Sequence, residues 1–415
     1  MRILLIVVYY PPSTTSAAQL VHDLARDYFR QGHEVTVLTP STSAAGLNSI
    51  SVEEGVTVVR IDAGEIKDAN RVLRLWRESR ISATIWRQAR DWFESHPCDL
   101  IVYYSPTIFF GKLVSRLKVL WHCPAYLILR DIFPQWAVDA GQLREGGLLH
   151  RYLRRQERSQ YDAADVIGVE ARGDLRYFDN RRWKKKYCAE FLPNWGMSDV
   201  ILPGASAWRS RLALEGKVVF LFGGNIGVAQ DMDNVIRLAS SLRARDDIFF
   251  LLVGAGSEVA RLNQEIARLD LNNIRILPAM PEPEYMQCLS EFDVGLVSLD
   301  RRLQANNFPG KILGYMACSK PVLASINMGN DLAEIFNTAD AGIVCTNGED
   351  GRLRDAAVLL ASDPMLRERM GKNAKALGDA LFSVRGVSAQ ILSHFAPAGS
   401  EPRVRLEAEL CEAEY

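Results

Sequence analysis

The sequence predicts an α/β fold of two doubly wound, Rossmann-like domains facing each other across a cleft. Three observations carry this reading. The chain opens on a βαβ unit, with strands at Ile3–Tyr9 and Glu34–Thr39 around a helical stretch at Ala17–Arg30. The same alternation restarts at Val218–Phe222. Between the two series the composition breaks at Leu192-Pro193-Asn194-Trp195-Gly196 and Leu202-Pro203-Gly204, both rich in turn formers.

The elements follow in order. A strand buried on both faces is apolar throughout rather than alternating, and Ile3–Tyr9 is of that kind. Pro11-Pro12 stops it, and Ser13–Ser16 offers N-caps. In the next helix Leu20, Leu24 and Phe29 share one side and Asp23 and Arg26 the other, with Gly32 placed as a C-cap. Strands are expected at Val56–Ile61, Asp99–Tyr104, Ala125–Leu129 and Val166–Val169. Helices are expected at Arg71–Ser95, Pro106–Leu117 and Leu148–Asp162, and a basic helix and turn at Arg172–Tyr187. In the second series strands are expected at Val218–Phe222, Ile248–Val253, Ile274–Leu277, Val294–Ser298, Val322–Ala324 and Ile343–Val344. The domains are then 1–195 and 215–375, with a linker at 196–214. A C-terminal helix at 376–395 packs back on the first domain, and 396–415 is a polar tail.

The 415 residues are 48% hydrophobic and 24% charged, which excludes disorder over most of the length. No run reaches the ~18 apolar residues that span a bilayer. Ile3–Val8 is too short for a leader and reads as a strand. The net charge of −1 hides a division: residues 1–197 hold 27 Lys and Arg against 22 Asp and Glu, and the remainder 22 against 28. The seven cysteines are scattered and form no Cys-x-x-Cys pair, so they read as reduced, mostly structural thiols of a cytoplasmic protein.

Two glycine-rich elements stand after strands of the second series. Phe222-Gly223-Gly224-Asn225-Ile226-Gly227 precedes a helix at Asp233–Arg243, where backbone N–H groups can meet a phosphate. The alternative is a tight turn without a ligand. Val253-Gly254-Ala255-Gly256-Ser257 lacks the third small residue and the following acid of a dinucleotide site, so it reads as a plain turn and no NAD is expected. Asp231 and Asp233 are read as helix N-terminal acids, and the six histidines have no zinc spacing, so no metal site is expected. The most informative stretch runs from Asn306-Asn307-Phe308-Pro309-Gly310-Lys311 through Tyr315-Met316-Ala317 to Lys320-Pro321-Val322. A Pro-Gly loop opens a helix with Lys311 in its first turn, a fit for a diphosphate.

This segment resembles the donor-nucleotide motif of family-4 glycosyltransferases of the GT-B fold. The Tyr-Tyr-Pro-Pro loop, the Gly32–Val37 strand entry, the Gly224–Gly227 turn and Glu334 fall in the family's order. Two glutamates usual in the family are replaced by Asn306 and Gly314, and its Arg and Lys after the glycine turn by Asn225 and Gln230. Leu129–Trp136, with Arg130-Asp131 where many members have His-Asp, is similar to bacterial N-acetyl-L-fucosamine transferases of O-antigen and capsule assembly.

The resemblance implies retaining transfer from a UDP-sugar to a polyprenyl-diphosphate-linked saccharide, without a metal cofactor. Arg130, Asp131 and Lys311 are the catalytic candidates. Ser13, Thr14, Gly224, Asn225, Gly227, Met280, Asn306, Asn307, Phe308, Gly310, Lys311 and Glu334 are the donor-site candidates, with Arg301 or Arg302 as further cations. On the acceptor side, Arg181, Arg182, Trp183, Lys184, Lys185 and Lys186 cluster cations beside an indole, and Trp76, Trp86 and Trp92 line the Arg71–Ser95 helix. Such surface suits an anionic membrane at the inner face of the plasma membrane. The indoles equally suit a core. Nucleic acid is not expected, because no binding module surrounds the cluster. Two other readings stay open: a sugar-nucleotide 2-epimerase of the same architecture, and an inactive homologue serving as a partner subunit.

Overall fold

The computed structural model describes residues 1–13, 15–41, 49–62, 71–139, 141–178, 183, 186–196, 207–303 and 309–395. It divides into two units. Met1–Pro193 with the described part of Val384–Tyr415 forms one, and Asn194–Ser383 the other.

In the first unit the elements run β1 (Arg2–Ile6), α1 (Ser16–Arg30), β2 (Glu34–Ser41), β3 (Ser49–Glu53), β4 (Val56–Asp62), α2 (Arg71–Ser95), β5 (Leu100–Tyr104), α3 (Gly111–Trp121), β6 (Ala125–Leu129), α4 (Gln135–Asp139), α5 (Leu148–Ala163), β7 (Val166–Val169), α6 (Arg172–Phe178) and β8 (Ala189–Phe191). They build an eight-stranded sheet of order β3-β4-β2-β1-β5-β6-β7-β8, parallel except for the β3–β4 pair. The central strands β1, β5 and β6 are apolar because helices cover both faces, and burial of such runs supplies the main folding drive. The helix expected at Pro106–Leu117 begins later, at Gly111. A Cβ there would lie 2.4 Å from the Ser159 carbonyl, so glycine lets α3 lie against α5. β8 is an unexpected strand, and of the expected basic helix and turn the described part is α6 with Trp183 and the Lys186–Cys188 approach to β8.

The second unit runs α7 (Trp208–Leu212), β9 (Val218–Gly223), α8 (Met232–Ser241), β10 (Ile248–Val253), α9 (Val259–Arg268), β11 (Ile274–Leu277), α10 (Glu282–Glu291), β12 (Val294–Ser298), α11 (Lys311–Ala317), β13 (Val322–Ile326), α12 (Asp331–Thr338), β14 (Gly342–Thr346), α13 (Asp350–Ser362) and α14 (Pro364–Leu381). Its six strands are all parallel, in the order β11-β10-β9-β12-β13-β14. The order reverses between β9 and β12, which makes their carboxyl ends the place where an open α/β sheet receives a ligand. α7 lies within the stretch read as a linker. Glu291 accepts from the Trp208 and Arg209 N–H groups, and Arg209 pairs with Asp293.

The helix expected at 376–395 is two helices. α14 ends at Leu381, and α15 (Val384–Ser393) returns to the first unit against α1. There Ser388 donates to the Asp27 carboxylate, and Gln31 Nε2 donates to Ser388 Oγ at 2.8 Å. The 396–415 tail lies outside the described residues.

Candidate functional site

The carboxyl edge of the second sheet is built around β9. After Gly223 the chain turns through Gly224 at φ 112°, a conformation that favours glycine. The turn is backed by the second glycine element. Gly224 N–H donates to the Val253 carbonyl and Ile226 N–H to the Ala255 carbonyl, both at 2.9 Å. A Cβ on Gly254 would lie 1.8 Å from the Gly224 carbonyl oxygen, and one on Gly256 2.1 Å from that of Ile226. Gly254-Ala255-Gly256 is therefore not an idle turn. Its missing side chains let the first glycine loop lie on it.

That packing corrects one expectation. The amides of Gly224 and Ile226 are spent on the backing loop, and Gly227 N–H donates to Gln230 Oε1 at 3.1 Å. Three of the four N–H groups of Gly224–Gly227 are thus already satisfied inside the protein. Asn225 is exposed, and its Nδ2 donates to the same Gln230 oxygen.

Positive charge comes from Lys311 at the start of α11. Its Nζ sits 3.2 Å from the centre of the Phe222 ring, and its Cε lies 3.9 Å from where a Gly224 Cβ would be. The structure so brings Lys311 and the glycine turn together. Among the described residues no carboxylate pairs with it, and burial lowers its ammonium from 10.5 to about 7. The helix behind it is pinned by Tyr315, whose hydroxyl accepts from Gly223 N–H and donates to the Leu296 carbonyl, each at 3.1 Å.

Of the other donor candidates, Gly310 is exposed before α11, Glu334 is exposed in the first turn of α12, and Met280 is half-buried before α10. Thr14, Asn306, Asn307 and Phe308 lie outside the described residues. Arg302 is held by Asp300 through two close nitrogens, which keeps the Asp300 carboxyl below its usual range. It is therefore not a spare cation for a phosphate. Beside these groups lies a polar recess of about 420 Å³ lined by Asp231, Arg237, Asp300, Arg301 and Asn347. Asn347 Nδ2 donates to Asp231 at 2.8 Å, and Asp233 pairs with Arg261. Among the described residues no group of three His, Cys, Asp or Glu side chains is placed to hold a metal ion.

On the first unit, Arg130 and Asp131 follow β6. Arg130 Nη1 donates to the Leu192 carbonyl at 2.6 Å, and the guanidinium lies over the Tyr104 ring. Arg130 thus braces the chain after β8, while Asp131 is exposed. Glu170, which directly follows the adjacent strand β7, is a residue the sequence reading missed. Burial raises its carboxyl, Arg130 draws it down, and Asp131 raises it, so these three charges meet at one sheet edge. Its place directly after an apolar strand, like that of Asp131, was the available signal. Ser13 is half-buried, with its Oγ 3.2 Å from Thr15 Oγ1, the N-cap of α1.

Two family models match in tandem. The glycosyl transferase 4-like domain covers residues 15–194, and glycosyl transferases group 1 covers 206–377. The chain belongs to the group 1 glycosyltransferases. The probable glycosyltransferase WbjE of Pseudomonas aeruginosa is 27% identical over 222 residues, 53% of this chain and 55% of that protein. The putative colanic acid biosynthesis glycosyl transferase WcaI of Escherichia coli (strain K12) is 25% identical over 285 residues, 65% of this chain and 69% of that one. The chain thus spans little more than half of the first relative. The solved structure of Anabaena Alr3699/HepE in complex with UDP is similar at a TM-score of 0.60 and 17% identity, covering 95% of this chain and 99% of that one. The fold is GT-B.

The surface assigned to the acceptor of this glycosyltransferase needs correction. Trp183 is buried among Tyr161, Phe178, Tyr177 and Tyr187, with Arg154 over its ring at 4.9 Å. An indole satisfied by four rings and a Tyr177 carbonyl is core, not an interfacial anchor. Lys186 is exposed, and Arg181, Arg182, Lys184 and Lys185 lie outside the described residues. Of the α2 tryptophans, Trp86 and Trp92 pack on the core and Trp76 is exposed. No helix among the described residues is long and apolar enough to cross a membrane.

Proposed function

We propose that this glycosyltransferase moves a sugar, with retention, from a UDP-sugar to a lipid-linked saccharide during assembly of a bacterial surface polysaccharide. The observation that carries the donor side is Lys311, a half-buried cation with no carboxylate partner among the described residues, set against a glycine turn at the switch point of the second sheet. A protein does not stabilise such a charge for its own sake, and an arriving diphosphate would complete it. The HepE structure holds UDP on the same fold, which supports a uridine nucleotide. WcaI is named for colanic acid biosynthesis, which supports a surface polysaccharide. The Leu129–Trp136 stretch favours an amino or deoxyamino sugar such as N-acetyl-L-fucosamine.

In the reaction the bond from the anomeric carbon to the β-phosphate oxygen breaks, and its electron pair stays on the departing diphosphate. A bond from that carbon to an acceptor oxygen forms, and the acceptor hydroxyl passes its proton to the oxygen of the departing diphosphate. Lys311 meets the charge that grows on the leaving group, the term of largest catalytic weight in such transfers. Asp131 and Glu170 are the carboxylates we assign to orienting acceptor hydroxyls, with Arg130 holding their strand ends. Lys311 fills the charge-stabilising role a metal would otherwise have, so we assign no metal. The test is product analysis with a panel of UDP-sugars and a lipid-linked acceptor. Transfer yields UDP and an extended lipid glycan. An altered donor sugar formed without UDP would make the chain an epimerase, and no turnover by folded protein would favour a partner subunit.

A further inference from the structure

We propose that the amino-terminal half of α5 is a docking face for an anionic lipid bilayer. The inference deepens the acceptor side of the proposed function and rests on that reading. α5 has two unlike faces. Inward, Leu153, Gln156, Glu157, Gln160 and Tyr161 are buried, and Arg154 Nη1 donates to Glu157 at 2.5 Å. Outward, Leu148 is 86% exposed, Leu149 48% and Tyr152 40%. Apolar side chains at the start of a solvated helix find no partner in water, so this exposure needs an occupant.

Charge identifies the occupant. Arg144, Arg151, Arg155 and Arg158 are exposed on the same stretch, and Glu145 is the one exposed acid between Arg144 and Arg158. Among the described residues none of these four arginines has an ion pair, whereas Arg237, Arg261 and Arg369 of the second unit, equally exposed, pair with Asp350, Asp233 and Asp340. Leucine and aromatic side chains that project beside unpaired cations match the water–lipid boundary, where apolar tips enter the acyl region and guanidinium groups meet phosphates. Ahead of α5, Gln142 and Leu143 N–H groups both donate to the Ala137 carbonyl, and Gly147 N–H donates to that of Arg144.

The experiment is co-sedimentation of the full chain with phosphatidylcholine vesicles, with and without phosphatidylglycerol. Wild type is expected to bind the anionic vesicles and to release as salt rises. Arg151→Glu/Arg155→Glu and Leu148→Ser/Leu149→Ser are each expected to weaken binding at least ~10-fold at unchanged thermal stability. Arg354→Glu, on α13 of the other unit, is the control and is expected to bind as wild type. Wild type that ignores anionic vesicles, double variants that bind like wild type, or a control that falls equally would overturn the proposal. UDP-induced thermal stabilisation of the same proteins reads the donor side separately. Its loss in wild type would strike the transferase reading and leave the lipid result standing.

Discussion

Lys311→Met should make the protein more stable and less able to bind donor. Methionine keeps the length and apolar stem of lysine and removes the ammonium. In the folded chain that ammonium is lowered from 10.5 to about 7 by burial, with its Nζ 3.2 Å from the Phe222 ring centre. The full difference corresponds to a ceiling of ~5 kcal/mol. The side chain is half-buried rather than sealed, so screening brings the expected gain to ~2 kcal/mol near neutral pH and below. The sign follows from linkage. Between about 7 and 10.5 the unfolded state holds the proton more tightly than the folded state, so wild-type stability should rise with pH across that window. Lys311→Met should lose this rise. The assay is urea unfolding of both proteins at about pH 6 and about pH 9. A variant less stable than wild type at the lower pH, or one with the same pH dependence, would refute the claim that Lys311 is an uncompensated charge.

Other outcomes follow from the packing. Gly256→Ala places a methyl 2.1 Å from the Ile226 carbonyl oxygen and should cost ~1–3 kcal/mol in unfolding free energy while displacing the donor turn, seen as a weaker thermal shift with UDP. Trp183→Ala should cost ~3–5 kcal/mol, because it empties the centre of a cluster of four aromatic rings, and the remaining folded protein should sediment with vesicles as before. Arg130→Ala removes charged hydrogen bonds to the Leu192 and Pro193 carbonyls and should destabilise by ~2 kcal/mol, measured by urea unfolding. Asp131→Asn, at an exposed position, should leave stability within ~0.5 kcal/mol and lower turnover in UDP release.

The parts of the fold legible in the sequence are those where local pattern and burial agree. β9, β10, β12 and β13 are apolar runs, the first two closed by glycine, and they are buried along almost their whole length. β3 was not legible, because Ile50 and Val52 are exposed on an antiparallel edge outside the βα rhythm. The site divides in the same way. Lys311 and the first glycine turn stood out by their places after strands. The purpose of Gly254 and Gly256 did not, since it depends on a neighbouring loop 30 residues earlier in the chain. Trp183 misled because its neighbours in sequence are cations, whereas its neighbours in space include Tyr161, on α5. Lys311 could be placed in the first turn of a helix, but its burial over Phe222 required the folded chain.

The measurement closest to the central claim is calorimetric titration of UDP into wild type and Lys311→Met at about pH 6 and about pH 9. If Lys311 meets the diphosphate as an ammonium, wild-type affinity should fall ~10-fold or more between the two, with proton uptake that rises through about pH 7. Lys311→Met should bind weakly and equally at both. UDP binding that is independent of pH and unchanged in Lys311→Met would contradict the account.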